Sequence, residues 1–457
     1  MAHVRGVAPL VLLLAFLLPG CKEDIPAPSP VDSELDRTLD ELLKQNSRGA
    51  GKPYFTLPAG TELAKIPADP LNPLTQAKVD LGQLLYHETA LSMDAKLPVG
   101  LGTFSCATCH FAKAGFQANL PQGISEGGTG FGRAGEGRTR HPSYTVDSII
   151  DCQPVRSPAS LNIAYQTNVL WNGQFGGTGV NRGTEYAWTP GTPKETNVLG
   201  YEGTETQAIA GQAVHRIRAD SVFLCCNPVY RVMFDQAFGH LPASLRVSRI
   251  TVGLAVAAYE RTLLADQAPW QRWLRGDLAA MSDDEKRGAV LFFGKAGCVA
   301  CHTGPALNSM TFHAIGMKNI EAATPGIFIA DPARAEHRGR GGFTGRPEDM
   351  YKFKTPQLYN LVDSKYFGHG ASLRTVRDVV VYKNLAVAEN PAVPASQLAA
   401  EFRPLNLTGV EIDRLTLFLE RSLRDPSLMR YQPTSVPSGF CFPNNDQQSR
   451  SDLGCVK

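Results

Sequence analysis

Two five-residue motifs, far apart in the chain, could carry redox chemistry. Both read Cys-x-x-Cys-His: Cys106-Ala107-Thr108-Cys109-His110 and Cys298-Val299-Ala300-Cys301-His302. Two thiols three positions apart can add to both vinyl groups on one edge of a porphyrin, and the adjacent histidine can then bind the iron. We therefore predict two covalently bound c-type haems, each held by the cysteines of one motif, with His110 and His302 as proximal ligands.

Zinc is the alternative metal for such motifs. A structural zinc site needs a second Cys or His pair at short spacing, whereas the two motifs here stand almost two hundred residues apart, so zinc is disfavoured. We call the motif at 106–110 the first pentad and the motif at 298–302 the second pentad.

Length and charge limit the other classes of function. The chain has 457 residues and a formal net charge of +2, with no basic run, so nothing in it indicates nucleic-acid binding. The length allows two domains. We predict a mainly α fold with extensive loops, in which a tether and short helix (21–60) precede an N-terminal haem domain (61–268) and a C-terminal haem domain (269–457).

The N-terminus resembles an export signal. Arg5 precedes an apolar run, Val7 to Leu18, that is too short to span a bilayer as a helix. The run ends in Leu18-Pro19-Gly20-Cys21, which resembles a bacterial lipobox. We predict that residues 1–20 are removed and that Cys21 carries a lipid, anchoring the protein to the periplasmic side of the outer membrane; an ordinary secretory signal is the alternative.

Five further cysteines remain once the lipid and haem cysteines are assigned. An exported chain favours disulfides among them. Cys441 and Cys455 bracket a short polar tail and are predicted to pair. Cys152 is predicted to pair with either Cys225 or Cys226, leaving one cysteine over.

The elements that must position the pentads are mostly helices. Ser282 followed by Glu285, and Thr408 followed by Glu411, are capping-box signals for two of them. Apolar periodicity predicts helices over Asp32 to Gln45, Ala77 to His87, Thr206 to Ala219, Val247 to Leu264, Val376 to Lys383 and Thr408 to Leu423. In the fourth of these, the predicted apolar face consists of Ile250, Leu254, Val256, Ala257 and Leu263.

The sequence also predicts roles for two segments outside these helices. Phe111 to Arg140 is glycine-rich and lacks apolar periodicity, which is typical of a functional loop or a lid. Pro269 to Asp277 is the predicted connection between the domains. The two pentads share one local frame, a helix, then glycine, then Cys-x-x-Cys-His, and this is the internal repeat that the sequence indicates.

An ordered set of short motifs surrounds the pentads, and through it the chain, from about Pro70 to Leu423, resembles the bacterial dihaem cytochrome c peroxidases and the related MauG enzymes. The motifs are Leu81-Gly82-Gln83-Leu84-Leu85-Tyr86, Trp171-Asn172-Gly173, Tyr259-Glu260-Arg261-Thr262-Leu263, Lys286-Arg287-Gly288, Phe312-His313-Ala314-Ile315-Gly316 and Phe353-Lys354-Thr355-Pro356. The resemblance implies two cytochrome-c-like helical domains whose haems face a shared interface.

The resemblance also implies roles for individual residues. The haem at His110 would react with peroxide, and the haem at His302 would relay electrons from an external donor. Glu205 falls at the position of the family's distal glutamate, an acid/base for the peroxide proton, with Glu202 as the near alternative. A carboxylate at a helix start is also favoured by the helix dipole alone. Trp171 aligns with a tryptophan between the haems that could carry an electron, although core packing explains a tryptophan equally well.

Some positions depart from the family pattern. The histidine that leaves the reactive haem on activation in some members lies soon after the first pentad, whereas here the segment's one histidine is His141, which we expect on a surface loop. The reactive haem is therefore expected to be open without activation. Arg156 stands where an asparagine helps to hold calcium, so Ca²⁺ is doubtful.

The sixth ligand of the second haem iron is open on sequence grounds. The family column falls on Lys383, with Tyr382 one residue earlier and Met317 as a further candidate. Tyrosine would lower the potential of the iron and methionine would raise it, while Lys383 could bind iron only if burial deprotonated it.

Three functions are compatible with these features. The leading hypothesis is a periplasmic peroxidase that reduces hydrogen peroxide with electrons from a small c-type cytochrome or cupredoxin. The second is a MauG-like oxidase that acts on a partner protein, and the third is a plain electron-transfer cytochrome. The resemblance also allows a homodimer.

Overall fold

The computed structural model describes residues 1–2, 33–219, 222–321 and 326–455, and this part of the chain is mainly helical, as predicted. The predicted signal peptide and Cys21 lie outside the described residues. Within them, no helix is both long and apolar enough to cross a membrane. The α-helices are α1 Ser33–Asn46, α2 Lys52–Phe55, α3 Gln76–His87, α4 Gly203–Val214, α5 Val222–Cys226, α6 Pro228–Phe238, α7 Arg249–Arg261, α8 Pro269–Leu274, α9 Asp283–Phe293, α10 Arg340–Thr344, α11 Val376–Leu385, α12 Gly409–Leu417 and α13 Gln447–Asp452.

Strands are short and form two small antiparallel pairs. The first pair joins β1 Gly128–Thr129 to β2 Thr139–Arg140, and the second joins β3 Phe312–His313 to β4 Phe353–Lys354. Short 3-10 turns supply most of the remaining regular structure. The fold is therefore helices joined by long, largely buried loops.

Both predicted capping boxes form. The Ser282 amide donates to the Glu285 carboxylate at 2.8 Å, and the Thr408 amide donates to the Glu411 carboxylate at 2.8 Å. Each box satisfies two backbone donors that a helix start would otherwise leave free. These caps begin α9 and α12, and α12 continues as one π-helical turn over Phe418–Ser422.

The internal repeat extends well beyond the pentads. Ahead of the first pentad, α3 crosses α7 so closely that a Cβ on Gly82 would stand 1.9 Å from the Ala255 carbonyl oxygen. Ahead of the second, α9 crosses α12, and a Cβ on Gly288 would stand 2.1 Å from the Arg414 carbonyl oxygen. Glycine is therefore required at the same point of both helix pairs, because any side chain there would force the helices apart.

One hydrophobic cluster runs through both halves of the described chain. At its centre, α8 buries Trp270 and Trp273 completely, and the Trp273 indole N–H donates to Asp36 of α1 at 2.7 Å. The segment predicted as the connection between domains is thus, over Pro269–Leu274, a helix in the core. The predicted domain limits themselves stay a prediction.

Two sequence predictions are wrong in detail. Ile250 is 41% exposed, because the buried stripe of α7 starts only at Thr251. Cys152 does not pair: it is a free thiol packed in a small cluster with Ile124, Tyr144 and Ile150. Its predicted partners on α5 are free and exposed. The other predicted disulfide, Cys441–Cys455, is confirmed.

The glycine-rich loop after the first pentad forms a mostly buried wall over residues 120–140. Arg138 is buried in it, donates to the Ile124 and Ser125 carbonyl oxygens, and forms an ion pair with Asp446 at 3.3 Å. Asp446 precedes α13, inside the segment closed by the disulfide. The C-terminal tail therefore fastens this loop around the first pentad.

Candidate functional site

The two pentads have the same local structure. Each starts with a 3-10 turn, Cys106–Thr108 or Cys298–Ala300, and all four thiols are free. The His110 Nδ1 lies 3.3 Å from the Phe116 carbonyl oxygen, and the His302 Nδ1 lies 3.1 Å from the Leu307 carbonyl oxygen. An Nδ1–H donated to a carbonyl fixes the ring and leaves Nε2 for iron.

The residues that supply these carbonyl groups have unusual backbone conformations. Phe116 has φ 56° and Leu307 has φ 47°, the left-handed region that non-glycine residues rarely adopt. Such strain is typical of functional positions that the surrounding structure holds in place. It occurs here six residues after His110 and five residues after His302.

Burial keeps both histidines in the form that binds metal. It lowers the pKa of His110 and of His302 to about 4, so each ring is neutral at neutral pH. Among the described residues, no cluster of His, Cys, Asp or Glu has the arrangement of a metal site made of protein side chains alone. The pentads thus fit covalent haem better than tetrahedral zinc.

A cavity of about 240 Å³ adjoins the second pentad. Its lining is mostly apolar, with a few polar groups, as is usual for a cofactor pocket. The lining residues used below are Arg156, Pro158, Trp171, His302, Met317, Lys354 and Lys383.

Two buried cations in this cavity have no carboxylate partner among the described residues. Arg156 donates to Gln117 and, at 3.0 Å, to Ser364 Oγ, while its Nε is left without a partner. Lys354 donates only to the amide oxygen of Gln166. Burial lowers the pKa of Arg156 to about 10 and that of Lys354 to about 7. Haem carries two propionate carboxylates, which are the charges that these cations lack, so this lining fits haem.

Neutralising one of these cations should change the reduction potential of the haem at the second pentad. We expect Lys354→Met to lower that potential by roughly 50–100 mV, the effect of one charge at about 10 Å with an effective dielectric constant near 20. Spectroelectrochemical titration of the holoprotein measures it. Lys352→Met, which removes a half-buried lysine two residues away, is the matched control; equal shifts in both variants would contradict the assignment.

The three candidate sixth ligands of the second iron are placed differently. Lys383 and Met317 line the cavity with His302. Tyr382 does not line it, and its hydroxyl donates to the Ile315 carbonyl oxygen at 2.5 Å. Burial lowers the pKa of Lys383 and raises that of Tyr382 to about 12. The geometry favours Lys383 or Met317, and the identity of the ligand stays a prediction.

Trp171 lines the cavity beside the second pentad. Its indole N–H donates to the Arg156 carbonyl oxygen at 2.7 Å, and its ring meets the edge of His369 with 6.5 Å between centroids. Pro158 lines the same cavity as Trp171 and His302, and its backbone also lies close enough to the His110 ring to affect the pKa of that histidine. The two pentads are therefore neighbours across this short stretch of packed residues.

Glu205 is completely buried in a bidentate ion pair. Arg261 donates to its Oε1 at 2.8 Å and to its Oε2 at 2.6 Å, and Asn72 adds a third hydrogen bond at 3.3 Å. Arg261 also holds the half-buried Glu202 at 2.9 Å. These contacts tie α4 to α7 and favour a structural role, so the predicted catalytic role of either glutamate stays a prediction.

Sequence reasoning did not find a histidine–aspartate pair near the first pentad. His215, at the end of α4, lies with Nδ1 2.9 Å from Asp151 Oδ2. Burial and then the charge of His215 lower the pKa of His110, while burial and then the charge of Asp151 raise the pKa of Cys109. The partners are 64 residues apart, and no local pattern links them. His141, in contrast, is a half-exposed loop residue whose Nδ1 accepts from the Ser143 amide at 3.2 Å.

Comparisons with known proteins agree with this geometry. Residues 76–279 match the family described as di-haem cytochrome c peroxidase. The methylamine utilization protein MauG of Methylorubrum extorquens is 28% identical over 425 residues, 93% of this chain and 98% of that protein. The cytochrome c551 peroxidase of Nitrosomonas europaea is 27% identical over 350 residues, 76% of this chain and 84% of that protein.

Solved structures show the same fold. A MauG-like protein associated with microbial copper homeostasis superposes with a TM-score of 0.54 at 22% identity, covering 82% of this chain and 96% of that one. The diheme peroxidase BthA from Burkholderia thailandensis gives 0.50 at 17% identity, covering 80% and 90%.

The fold and the two pentads define a c-type dihaem oxidoreductase, with two covalently bound haems as its cofactors. Residues 76–279 match the di-haem cytochrome c peroxidase family, and the chain as a whole is similar to di-haem cytochrome c peroxidases and to MauG proteins.

Proposed function

We propose that this protein is a periplasmic peroxidase that reduces hydrogen peroxide to water with electrons from a small redox protein. The observation that carries the proposal is the adjacency of the two pentads, since the Pro158 backbone lies close to the His110 ring and Pro158 lines the cavity of Trp171 and His302. A peroxidase of this kind needs one site for peroxide and a second site from which electrons reach it. When bound, haem supplies the iron that cleaves the O–O bond and stores electrons.

The chain's own residues orient and insulate these cofactors. Cys106, Cys109 and His110 hold the haem that meets peroxide, and Cys298, Cys301 and His302 hold the haem that meets the donor. The buried wall after the first pentad covers part of the first site, and the ion pair of Arg138 with Asp446 holds it in place. Peroxide reduction consumes two electrons and two protons and yields two water molecules.

Trp171 is the proposed electron relay between the sites. An indole has an accessible oxidation state, and this one is held at fixed position by its hydrogen bond to the Arg156 carbonyl oxygen. The exposed edge of the second site would receive the donor, for which a small c-type cytochrome or cupredoxin fits. The lipobox-like motif at Cys21 supports attachment to the outer membrane from the periplasm.

A MauG-like oxidase acting on a partner protein is the second candidate. Its support is the similarity to MauG, which extends over 93% of this chain. Tyrosine as sixth ligand of the second iron would favour it, but the Tyr382 hydroxyl is engaged by the Ile315 carbonyl oxygen. That contact leaves the peroxidase as the better-supported function.

Steady-state turnover tests the proposal. The holoprotein is expected to oxidise a reduced small c-type cytochrome when hydrogen peroxide is added, followed by absorbance of the donor. Trp171→Phe is expected to slow donor oxidation by about 10–100-fold, a barrier increase of about 1.4–2.7 kcal/mol, with the peroxide reaction of the first haem unchanged. Trp188→Phe, whose indole donates to Thr184 at 3.2 Å away from this cavity, is the control. No donor oxidation by the unaltered holoprotein would refute the peroxidase.

A further inference from the structure

The C-terminal tail, residues 441–455, is a ring closed by a disulfide between its first and last residues. Its first part, residues 441–445, lies against the first pentad, and we call it the inner arm. The Thr108 hydroxyl of the pentad donates to Asn444 Oδ1 at 2.6 Å and lies 3.1 Å from the Pro443 carbonyl oxygen. Both of these tail residues are buried. The inner arm is therefore part of the packing around the residues that attach the first haem.

The rest of the ring, residues 446–455, holds the wall, and we call it the outer arm. The Asp452 Oδ2 atom accepts hydrogen bonds from the Phe131 amide at 2.7 Å and from the Gly132 amide at 2.9 Å. Asp446, at the other end of this arm, is the carboxylate partner of the buried arginine in the wall. The outer arm thus carries the attachments of the wall to the tail.

The wall in turn covers part of the first pentad. A Cβ on Gly123 would stand 2.8 Å from Cys109 Sγ, so the backbone of the wall lies directly against a thiol that attaches haem. The ring of Phe131 in the wall packs edge to face on that of Phe111, the residue after His110, with 5.0 Å between centroids. Movement of the wall would therefore uncover this side of the first haem site.

The outer arm is held mainly by polar contacts and by the closure of the ring. In α13, Ser449 is the one buried residue. The one large apolar side chain of the arm, Leu453, is half-buried against the cluster that contains Phe111 and Phe131. Since little apolar area is removed from water, the hydrophobic contribution to the attachment of this arm is small. Closing a ring of about 15 residues, in contrast, removes much of the conformational freedom of an open tail.

The two cysteines of the disulfide differ in exposure. Cys455 is exposed, whereas Cys441 is 6% exposed. A thiolate from solvent therefore reaches the sulfur of Cys455 first, with the sulfur of Cys441 as the leaving group. Among the described residues, the cysteines outside the pentads and this disulfide are free thiols, namely Cys152, Cys225 and Cys226. The thioether bonds that attach haem are not disulfides, so a dithiol leaves them intact.

We propose that the Cys441–Cys455 disulfide is a redox-sensitive latch, which an external dithiol opens to release the outer arm and free the wall to move off the first haem site. One thiolate of the dithiol attacks Cys455 Sγ, and the S–S bond breaks as Cys441 Sγ leaves. The second thiol then resolves the mixed disulfide. The dithiol ends as a disulfide, and its two electrons and two protons pass to the two cysteines. The identity of the ligand that is admitted, hydrogen peroxide, rests on the proposed function, whereas the latch itself does not.

Hydrogen exchange of the holoprotein tests the latch. The protein is reduced with dithiothreitol, alkylated with iodoacetamide, desalted and reoxidised with ferricyanide, which traps the open ring with both haems ferric. We expect the amides of Phe131 and Gly132 to exchange roughly 10²-fold faster than in protein alkylated without reduction, the effect of opening a ring of about 15 residues. Amides within α9, which packs on α12, should exchange at the same rate in both samples.

Cysteine variants repeat the test without chemical reduction. Cys441→Ser combined with Cys455→Ser should show the same faster exchange. Cys225→Ser combined with Cys226→Ser removes two exposed free thiols and is the matched control. If the first double variant does not fold, the alkylated chain decides the question, because that chain folds before its disulfide is opened.

Cyanide association with the ferric holoprotein measures access to the haem iron. The reduced and alkylated protein should bind cyanide faster than the protein alkylated without reduction, because the wall no longer covers the first site. The ferric EPR spectrum recorded before cyanide is added should be the same in both samples. A changed spectrum would show that the ligation of the iron, rather than access to it, has changed, and would overturn the latch.

The outcomes separate this inference from the proposed function. Equal exchange in the two alkylated samples overturns the latch, and so does faster exchange with unchanged cyanide association. Faster exchange and faster cyanide association in a protein that oxidises no donor with peroxide uphold the latch and refute the peroxidase. Donor oxidation by a protein whose exchange does not change on reduction upholds the peroxidase and refutes the latch.

Discussion

Replacing Arg261 with methionine is expected to lower the free energy of unfolding by about 3–5 kcal/mol, the usual cost of removing one partner of a buried ion pair. Arg261 and Glu205 have completely buried side chains, with 2.6 Å between Nη2 and Oε2. Methionine fills similar volume but leaves the Glu205 carboxylate with Asn72 as its remaining donor in this group. Urea denaturation of the holoprotein, followed by far-UV circular dichroism, measures the loss.

Two further variants make this result interpretable. Arg414→Met removes an exposed arginine whose Nε lies 3.0 Å from Asp284, and exposed pairs contribute only about 0–1 kcal/mol. Combining Glu205→Gln with Arg261→Met should recover part of the loss, because the completely buried charge of Glu205 is then removed together with its partner. A loss in Arg261→Met no larger than in Arg414→Met would show that the pair does not stabilise the fold.

Replacing Asp446 with leucine is expected to have a similar cost, about 3–5 kcal/mol, and a local consequence at the first pentad. Asp446 is the carboxylate partner of buried Arg138, and it also accepts from Thr129 Oγ1 at 2.8 Å and from the Gly130 amide at 3.0 Å. Without it, the wall formed by residues 120–140 loses its attachment to the C-terminal tail. Limited proteolysis should then cut within residues 120–140, which is measured by mass spectrometry of the fragments.

The control for this variant is Asp413→Leu. Asp413 pairs with Arg377 on the surface at 3.0 Å, and its side chain is 65% exposed. Asp413→Leu should change the free energy of unfolding by no more than about 1 kcal/mol. It should leave the cleavage pattern unchanged. If residues 120–140 are as resistant to proteolysis in Asp446→Leu as in the unaltered protein, Asp446 does not hold this wall against the C-terminal tail.

The helices could be predicted because their signals are local. Capping pairs such as Ser282 with Glu285 and the spacing of leucines in α1 are complete within a few residues, and both elements form where expected. The wrong predictions concern segments whose structure depends on tertiary contacts. Pro269 to Asp277 reads as a connection, but two buried tryptophans make its first part a core helix. The sequence predicts that Cys152 pairs with Cys225 or Cys226, whereas in the structure it is a buried free thiol.

For the site as well, the sequence predicts the local motifs but not the contacts between distant residues. The pentads are contiguous motifs, so the four attaching thiols and both proximal histidines were accessible from sequence. Glu205 lies in helix α4 and His215 caps its C-terminal end, but tertiary contacts give them different surroundings. Glu205 contacts Arg261 on α7, and His215 contacts Asp151. No spacing rule joins residue 151 to residue 215, since one lies in a loop without periodicity and the other at the end of a helix.

The electron count of the reaction tests the peroxidase most directly. The holoprotein is mixed with a reduced small c-type cytochrome and a limiting amount of hydrogen peroxide, and the oxidised donor is counted by absorbance. A peroxidase oxidises two donor molecules for each peroxide consumed, and substitution of His302 should abolish donor oxidation. Peroxide consumption without donor oxidation, accompanied by a long-lived oxidised state of both haems, would contradict this function and favour the MauG-like oxidase.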